Sequence, residues 1–380
     1  MRYFFDRRGY IYFWRLFMSG NYSIVLTGGG SGGHVIPALS LIPDLSKNFQ
    51  KIYFAGGSGI EKQLAEAAKI PFFEIRAAGL DRRRFFANLK VPFILIGAVC
   101  RCIGFLKQTQ PDVVFGKGGY VGLPTVLAAR LLKIPAVCHE SDLSLGLSNK
   151  IAKLFGAKII TGFHQTSTLS PDFVYTGFPL KKNLFSGDKR RVIGALGLDA
   201  AKKTVLVTGG SLGSVALNNV LRDALPSLLK SCNVIHLTGK GKENCGKFKG
   251  YFPLEFTDKM EDFYAAADIV ISRCGAGALA EISILKKPAV FIPLPKNASR
   301  GDQLHNAEIA RDCGAAVIYQ ENLTRDALLT AVYKNIGKPM RPVSTAGNTA
   351  IAGILTSLAE KKRFEREKAK TIPTDTKNID

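Results

Sequence analysis

The stretch "SIVLTGGGSGGHVIPALS" (23–40) decides the fold when it is set beside "KTVLVTGGSLGSVALNNVL" (203–221). Each runs a β-type segment into Thr-Gly-Gly, then a Ser, a Gly and a helix-like segment. Strand, glycine loop and helix form the opening unit of a parallel α/β sheet. The second copy starts near the middle of the chain, so the sequence predicts two Rossmann-like domains with parallel sheets.

The segments between the copies keep the alternation. "KIYFAGG" (51–57), "PDVVFGKGG" (111–119), "IPAVCHES" (134–141) and "KIITGF" (158–163) read as further strands of the first half. "NVIHLTGK" (233–240), "ADIVISRCGAGALAEIS" (267–283) and "KPAVFIPLP" (287–295) continue the second. Short β-rich runs alternating with helices imply crossover connections and a parallel sheet. The boundary is expected near "YTGFPLKKNLF" (175–185). The expected organisation is an extension at 1–20, a first domain at 21–178, a second at 179–344, a helix returning to the first domain at 345–362, and a charged, unstructured tail at 363–380. Residues 1–17 read either as an upstream-start artefact before Met18 or as an aromatic and basic membrane-interface segment around Trp14.

The glycine loops set the chemistry. Gly28, Gly30 and Gly33 fit GxGxxG, but no acid stands at the end of the second strand, where a dinucleotide ribose would be read. An anion at the start of a helix, faced by His34, is the better reading. "TGGSLGS" (208–214) can cradle a phosphate in the same way, and no Lys-Ser/Thr follows to make it a P-loop. In "SRCGAGALAEIS" (272–283), Glu281 lies one turn after Gly277, so its carboxylate can accept from ribose hydroxyls. The missing ribose acid therefore appears in the second half. Gln303 and Asn306 are three apart on the helix after "PLPKNASRGD", a spacing that can turn two amides toward one sugar. No D-x-D, G-x-S-x-G or H-E-x-x-H occurs. Helix N-termini and cations such as Lys181 and Arg273 would have to stabilise a leaving diphosphate.

Composition narrows the partners. Lys and Arg number 52 against 30 Asp and Glu, a net charge of +22. Such a chain should meet anions: nucleic acid, an anionic membrane surface or phosphorylated substrates. Aromatic-basic readout modules are absent outside the first 20 residues, which argues against nucleic acid. The seven scattered cysteines include no CxxC and read as thiols of a reducing compartment. The best apolar run, "VPFILIGAVC" (91–100), is too short to span a bilayer. With Arg82, Arg83, Arg84, Phe85 and Phe86 before it, the region reads as a helix at a lipid headgroup surface, or as a core helix with a basic end.

The motifs "GGGSGGHVIPALS", "GKGGYVGLP", "HESDLSLGLSNK", "TGFPL", "GGSLGS", "EFTDKMEDFYAAADIVISRCGAGALAE" and "SRGDQLHNA" occur in that order. Together they resemble the MurG-type N-acetylglucosaminyltransferases of peptidoglycan synthesis, over about residues 22 to 360. The resemblance implies a GT-B fold with two domains facing a cleft. It implies inverting transfer of GlcNAc from UDP-GlcNAc to the undecaprenyl-linked acceptor lipid I, giving lipid II, with no cofactor and no metal. It places the protein peripherally on the cytoplasmic face of the cell membrane. His34 is implied as the first candidate for the catalytic base and Glu140 as the second. Gly30, Tyr120 and Asn149 would hold the acceptor. UDP-GlcNAc would be met by Ser31, Gly32, Gly33, Asp142 and Lys181, with Ser211 on its diphosphate and Thr257 near the uracil. Ala276, Gly277, Ala278 and Leu279 would surround the diphosphate and sugar, Glu281 would read the ribose, and Gln303 and Asn306 the GlcNAc.

Three positions depart from the family pattern. His139-Glu140-Ser141-Asp142 stands where many members have His-Glu-Gln-Asn, which removes an amide donor at Asp142. Lys181 stands where Arg is frequent, keeping the charge without a bidentate fork. Leu212 stands where Gln is frequent. The same fold also carries UDP-GlcNAc 2-epimerases and diacylglycerol glycosyltransferases, which differ in lacking a pyrophosphate-bearing acceptor.

Overall fold

The computed structural model describes residues 21–30, 32–79, 85–210, 213–242, 245–296 and 301–371. Two all-parallel sheets carry the chain. The first contains β1 (Tyr22–Thr27), β2 (Phe49–Gly56), β3 (Phe72–Glu74), β4 (Val113–Gly116), β5 (Ala136–Glu140), β6 (Lys158–Thr161) and β7 (Val174–Tyr175). The second contains β8 (Lys203–Thr208), β9 (Cys232–Leu237), β10 (Tyr251–Leu254), β11 (Ile269–Ser272), β12 (Ala289–Phe291) and β13 (Ala316–Val317). Their orders are β3-β2-β1-β4-β5-β6-β7 and β10-β9-β8-β11-β12-β13. The two halves share one winding, with the opening strand of each in the interior of its sheet.

The strands are covered on both faces, so their sequences are almost continuously apolar instead of alternating. Ile24 and Leu26 of β1 pack on one side with Leu41, Phe54 and Phe115, while Val25 packs on the other with Val114, Cys102 and Leu106. In the second sheet Leu206 and Val270 face one layer, and Val205, Val207 and Ile271 the other.

This winding fixes where ligands meet the fold. Strand order reverses between β1 and β4, and again between β8 and β11, and open α/β sheets bind ligands beyond the carboxyl ends at such a point. Thr27 pairs in register with Gly116, and Thr208 with Ser272. The loops leaving those residues, two per domain, are therefore neighbours.

The domains are joined by two crossing segments. Phe178 bridges Ala346, Leu180 N donates to Asn348 Oδ1 at 2.9 Å, and Asn348 Nδ2 donates to the carbonyls of Leu180 and Ser40 at 3.0 Å each. After this crossing the helix Asn348–Thr371 packs on the first sheet through Ile351, Ala352, Leu355 and Ala359. Each large aliphatic side chain so buried contributes about 1.5–3 kcal/mol.

The expectation of an unstructured tail from 363 is corrected in part, because that helix continues to Thr371. Arg363 Nη1 donates to Asn21 O at 2.7 Å, and Arg366 to Asp112 Oδ1 and Pro111 O at 2.9 Å each. Composition alone reads these charges as solvated, whereas their partners belong to the first domain.

The basic-aromatic region also differs from its reading. Lys90 leads without a break into the helix Val91–Thr109, which runs through Arg101. The span Asn88–Thr109 has mean hydropathy 1.9 and is long and apolar enough to cross a membrane by length and composition. Ala98, Cys102 and Leu106, spaced by one turn, are buried against the first domain, while Phe93 and Ile96 are 76% and 61% exposed. One face is thus committed to the protein and the other is apolar and open. The side chains of Phe85 and Phe86, and all of Arg82 to Arg84, lie outside the described residues.

Candidate active site

The first cleft wall is built from loops that follow β1, β4 and β5. Gly28 and Gly29 lead to Gly30, whose φ of +87° demands glycine, and then to the helix Gly32–Leu39. Ser31 lies outside the described residues. A Cβ at Gly28 would stand 3.3 Å from Lys117 Cβ, and one at Gly119 would strike the Gly29 carbonyl at 2.3 Å. The two glycine loops approach more closely than any side chain allows. The Tyr120 ring lies over Gly30, 3.2 Å from where its Cβ would be. Gly33 is exposed at the start of the helix, where backbone N–H groups lack intrahelical acceptors.

His34 sits half-buried on the first turn of this helix. Its Nδ1 is 3.2 Å from the Lys117 carbonyl, which can only accept. The proton therefore belongs on Nδ1, and Nε2 carries the lone pair. That is the tautomer a general base needs.

Glu140 has a different task. Its Oε1 accepts from Ser141 N at 2.9 Å and Asp142 N at 3.0 Å, and its Oε2 from Gly146 N at 2.8 Å and Asn149 Nδ2 at 2.9 Å. Four donors hold a carboxylate that is 5% exposed. Those contacts make Glu140 the residue that shapes the loop from 140 to 146. Asn149, 4% exposed, braces it, and its Nδ2 lies 3.9 Å from where a Gly118 Cβ would stand. Asp142 is half-buried on that loop, and its carbonyl accepts from Thr166 Oγ1 at 3.1 Å.

The same loop reaches the second domain. Leu143 packs on a core cluster that runs from Phe163 and Phe178 of the first domain into the second, and Ser144 Oγ lies 3.5 Å from Asp302 Oδ1 on the helix Asp302–Asp312. Gln303, the next residue, accepts from Leu294 N at 3.0 Å, and its Nε2 lies 4.0 Å from where a Gly275 Cβ would stand. Gly275 opens the helix Ala276–Ile284 in extended conformation, leaving Gly277 exposed and Ala278 half-buried at its start. Ala276 and Leu279 are buried, so only their backbone can serve a ligand.

Asn306 reaches the same turn as Gln303 but lies deeper, and its Oδ1 has no partner among the described residues. It is fully buried and its Nδ2 donates to Cys274 O at 3.0 Å. Spacing of three puts both amides on one side of the helix, but that side is the packed one, and only Gln303 reaches its rim.

Glu281 stands half-buried on the Ala276–Ile284 helix and accepts from the Tyr264 hydroxyl at 3.0 Å. Burial raises its pKa, against the pull of Tyr264 and of the nearby Lys181 ammonium. Lys181, itself exposed, is thus placed beside Glu281. Thr257 is half-buried in the loop after β10, its Oγ1 accepting from Lys259 N at 3.1 Å. Ser211 and Leu212 lie outside the described residues.

Arg273 is corrected as well. Instead of facing the cleft as a free cation it is 7% exposed. Its Nη2 donates to Ser214 Oγ at 2.6 Å and Gln320 Oε1 at 2.8 Å, and its Nη1 to Ile292 O at 3.1 Å. It ties together the loops after β8, β11 and β12. Two other groups escaped the sequence reading. Glu61, 4% exposed, accepts from Gly30 N at 2.6 Å and holds the first glycine loop from below. Lys117, 1% exposed, joins the loops after β4 and β5 through Ser141. A lysine directly before paired glycines at a strand end was the available signal for it.

Known proteins agree with this architecture. The family model for the glycosyltransferase family 28 N-terminal domain matches residues 24–161, and that for its C-terminal domain matches 204–363. The chain is 41% identical over 318 residues to a UDP-N-acetylglucosamine--N-acetylmuramyl-(pentapeptide) pyrophosphoryl-undecaprenol N-acetylglucosamine transferase of Lachnospira eligens, covering 82% of this chain and 90% of that one. It is 42% identical to the transferase of the same name from Lachnoclostridium phytofermentans, covering 81% and 89%. The crystal structure of Acinetobacter baumannii MurG superposes with a TM-score of 0.67 at 26% identity, covering 90% of this chain and all of that one. The UDP-GlcNAc 2-epimerase of Neisseria meningitidis shares the fold alone, with a TM-score of 0.60 at 14% identity. With both domain models matched and relatives near 40% identity over four-fifths of its length, the chain belongs to glycosyltransferase family 28, in its MurG-type branch.

Proposed function

We propose that the protein transfers GlcNAc from UDP-GlcNAc to an undecaprenyl-pyrophosphate-linked acceptor, lipid I, with inversion and without a metal. The names of its relatives supply the substrates, and the structure supplies a cleft suited to them. The observation that carries the reading is a glycine-opened helix start beyond the strands of each domain, Gly30 to His34 in the first and Gly275 to Gly277 in the second, with the Ser144–Asp302 contact between the domains. The second domain holds the donor: the Ala276–Ile284 helix start offers N–H groups to the diphosphate, Glu281 the ribose carboxylate, and Gln303 an amide for the sugar. The first domain holds the acceptor's pyrophosphate at Gly30 to Gly33, under Tyr120. His34 Nε2 takes the proton from the acceptor hydroxyl as that oxygen attacks the anomeric carbon and the UDP oxygen departs. The helix N-terminus and the Lys181 charge offset the negative charge that grows on the leaving diphosphate.

The open face of the Val91–Thr109 helix supports attachment to the cytoplasmic membrane surface. A cleft of about 490 Å³ beside it is lined by Arg76 and Arg101 together with Ile94 and Gly97, a combination that fits lipid headgroups. Labelled UDP-GlcNAc incubated with a lipid I analogue, with and without EDTA, tests the reaction, and the anomeric configuration of the product tests inversion. Absence of transfer overturns the proposal, whereas loss of transfer in EDTA overturns only its metal-free step. His34→Ala should cut kcat by a factor of about 10²–10⁴. An unchanged kcat with a raised acceptor KM would make His34 a binding residue.

A further inference from the structure

Lys117, which follows β4 directly, is a lysine with almost no exposure. It touches the first domain's site at two points. Its backbone carbonyl fixes the Nδ1 of His34. Its ammonium donates to Ser141 Oγ. From there a directed chain continues. Ser141 Oγ lies 3.5 Å from His139 Nδ1, the longest link, and His139 Nε2 lies 2.9 Å from the Gly177 carbonyl. A carbonyl only accepts, so Nε2 carries the imidazole proton and Nδ1 must accept from Ser141. The ammonium can only donate, so every proton in the chain points from Lys117 toward Gly177. That glycine has φ +84°, and a Cβ there would strike the Thr345 carbonyl at 2.3 Å, where the two interdomain segments cross.

We propose that Lys117 is a positioning residue for the transfer step and acts as a cation, fixing the His34 ring through its carbonyl and the His139–Gly177 link at the domain crossing through Ser141. The inference rests on the reaction proposed above. The charged and titratable groups facing the ammonium are Glu140 and His139 at the end of β5 and Asp142 on the loop that follows, while His34 meets the Lys117 carbonyl. Glu140 is taken up by its four donors, so the pair is not a simple ion pair. Burial lowers the Lys117 pKa to about 8, with Glu140 and Asp142 resisting the shift. The same burial, with Lys117 beside it, holds His139 well below the usual imidazole range, so His139 stays neutral as the chain requires. Loss of the Lys117 proton gives the amine a lone pair that can accept from Ser141 Oγ, so the Ser141 hydroxyl is no longer held toward His139.

The test measures kcat and acceptor KM from pH 6 to 9.5 for wild type, Lys117→Met, Lys117→Arg and Ser141→Ala, with labelled UDP-GlcNAc and a soluble lipid I analogue. Wild-type kcat should fall on the alkaline side with a midpoint near 8. Lys117→Met should lower kcat by about tenfold or more and lose that limb, while UDP-GlcNAc affinity measured by calorimetry stays unchanged. Lys117→Arg should recover part of the rate and hold it to pH 9.5, because guanidinium keeps its proton. Ser141→Ala removes one oxygen from a half-buried position and keeps the test standing if Lys117→Met folds poorly. It should lower kcat and flatten the alkaline limb, because the link from the ammonium to His139 is cut. The inference is overturned if Lys117→Met keeps the wild-type rate and limb, if Lys117→Arg is as slow as Lys117→Met, or if Ser141→Ala leaves the limb in place. A wild-type enzyme that transfers nothing overturns the reaction itself and not merely the role of Lys117.

Discussion

Replacing Glu281 with Gln should weaken the donor far more than the acceptor, and the structure sets the size of the effect. The Tyr264 hydroxyl occupies Oε2 at 3.0 Å, and Oε1 has no hydrogen-bond partner among the described residues. One oxygen is thus braced and the other is left for a ribose hydroxyl. A hydrogen bond to a charged group contributes about 1.5–3 kcal/mol. Gln lacks the charge, so the ribose contact loses its charge-assisted share even when a hydroxyl turns to accept from the amide. At about 1.4 kcal/mol per tenfold, the KM for UDP-GlcNAc should rise by a factor of about 10–150, with acceptor KM within twofold. The assay is steady-state transfer with each substrate varied in turn. Donors lacking the 2′- or 3′-hydroxyl of the ribose complete a cycle: one of them should be penalised by wild type and not by Glu281→Gln. A donor KM within twofold of wild type, or an equal penalty for each deoxy donor in both enzymes, would refute the ribose role.

Two further outcomes follow from the fold. His236 is fully buried, bonded through Nδ1 to Tyr251 OH at 2.8 Å and through Nε2 to Asn218 Oδ1 at 3.0 Å, and burial lowers its pKa from 6.5 to about 4. The unfolded chain takes up that proton below pH 6.5 and the folded one only near pH 4, so its stabilising share is complete above 6.5 and about 3 kcal/mol smaller by pH 4. Urea melts of wild type and His236→Gln between pH 7.5 and 4 should show the variant losing less across that window, and parallel losses would remove His236 as the cause. On the membrane side, Phe93→Asp with Ile96→Asp should abolish cosedimentation with anionic vesicles, since each buried side chain contributes about 1.5–3 kcal/mol. Unchanged sedimentation would move the contact elsewhere.

The fold class was legible because its signal is local and doubled. A buried strand, a glycine turn and a helix start occupy consecutive residues in each half, and both copies occur in the same winding. The placement of site candidates was legible where neighbours in the chain fix it, as with His34 on the helix after its glycines and Glu281 one turn into its helix. It was hidden wherever the deciding partner is distant. Arg366 reads as a solvated charge until Asp112 is beside it, and Glu61 reads as a surface helix residue until Gly30 donates to it. Arg273 shows the cost of reasoning from charge alone. A cation after a strand in a phosphate-binding fold invites the role of phosphate contact, yet four loop oxygens already claim its guanidinium. Its planar fork suits that task, since it can satisfy several carbonyl and side-chain acceptors at once while the loops it joins shape the donor pocket. In the reaction proposed above, the positive field at the leaving diphosphate would then come chiefly from oriented backbone at Gly275 to Gly277, where glycine and alanine leave the N–H groups uncovered. That division of labour explains why small residues, and not cations, fill the start of that helix.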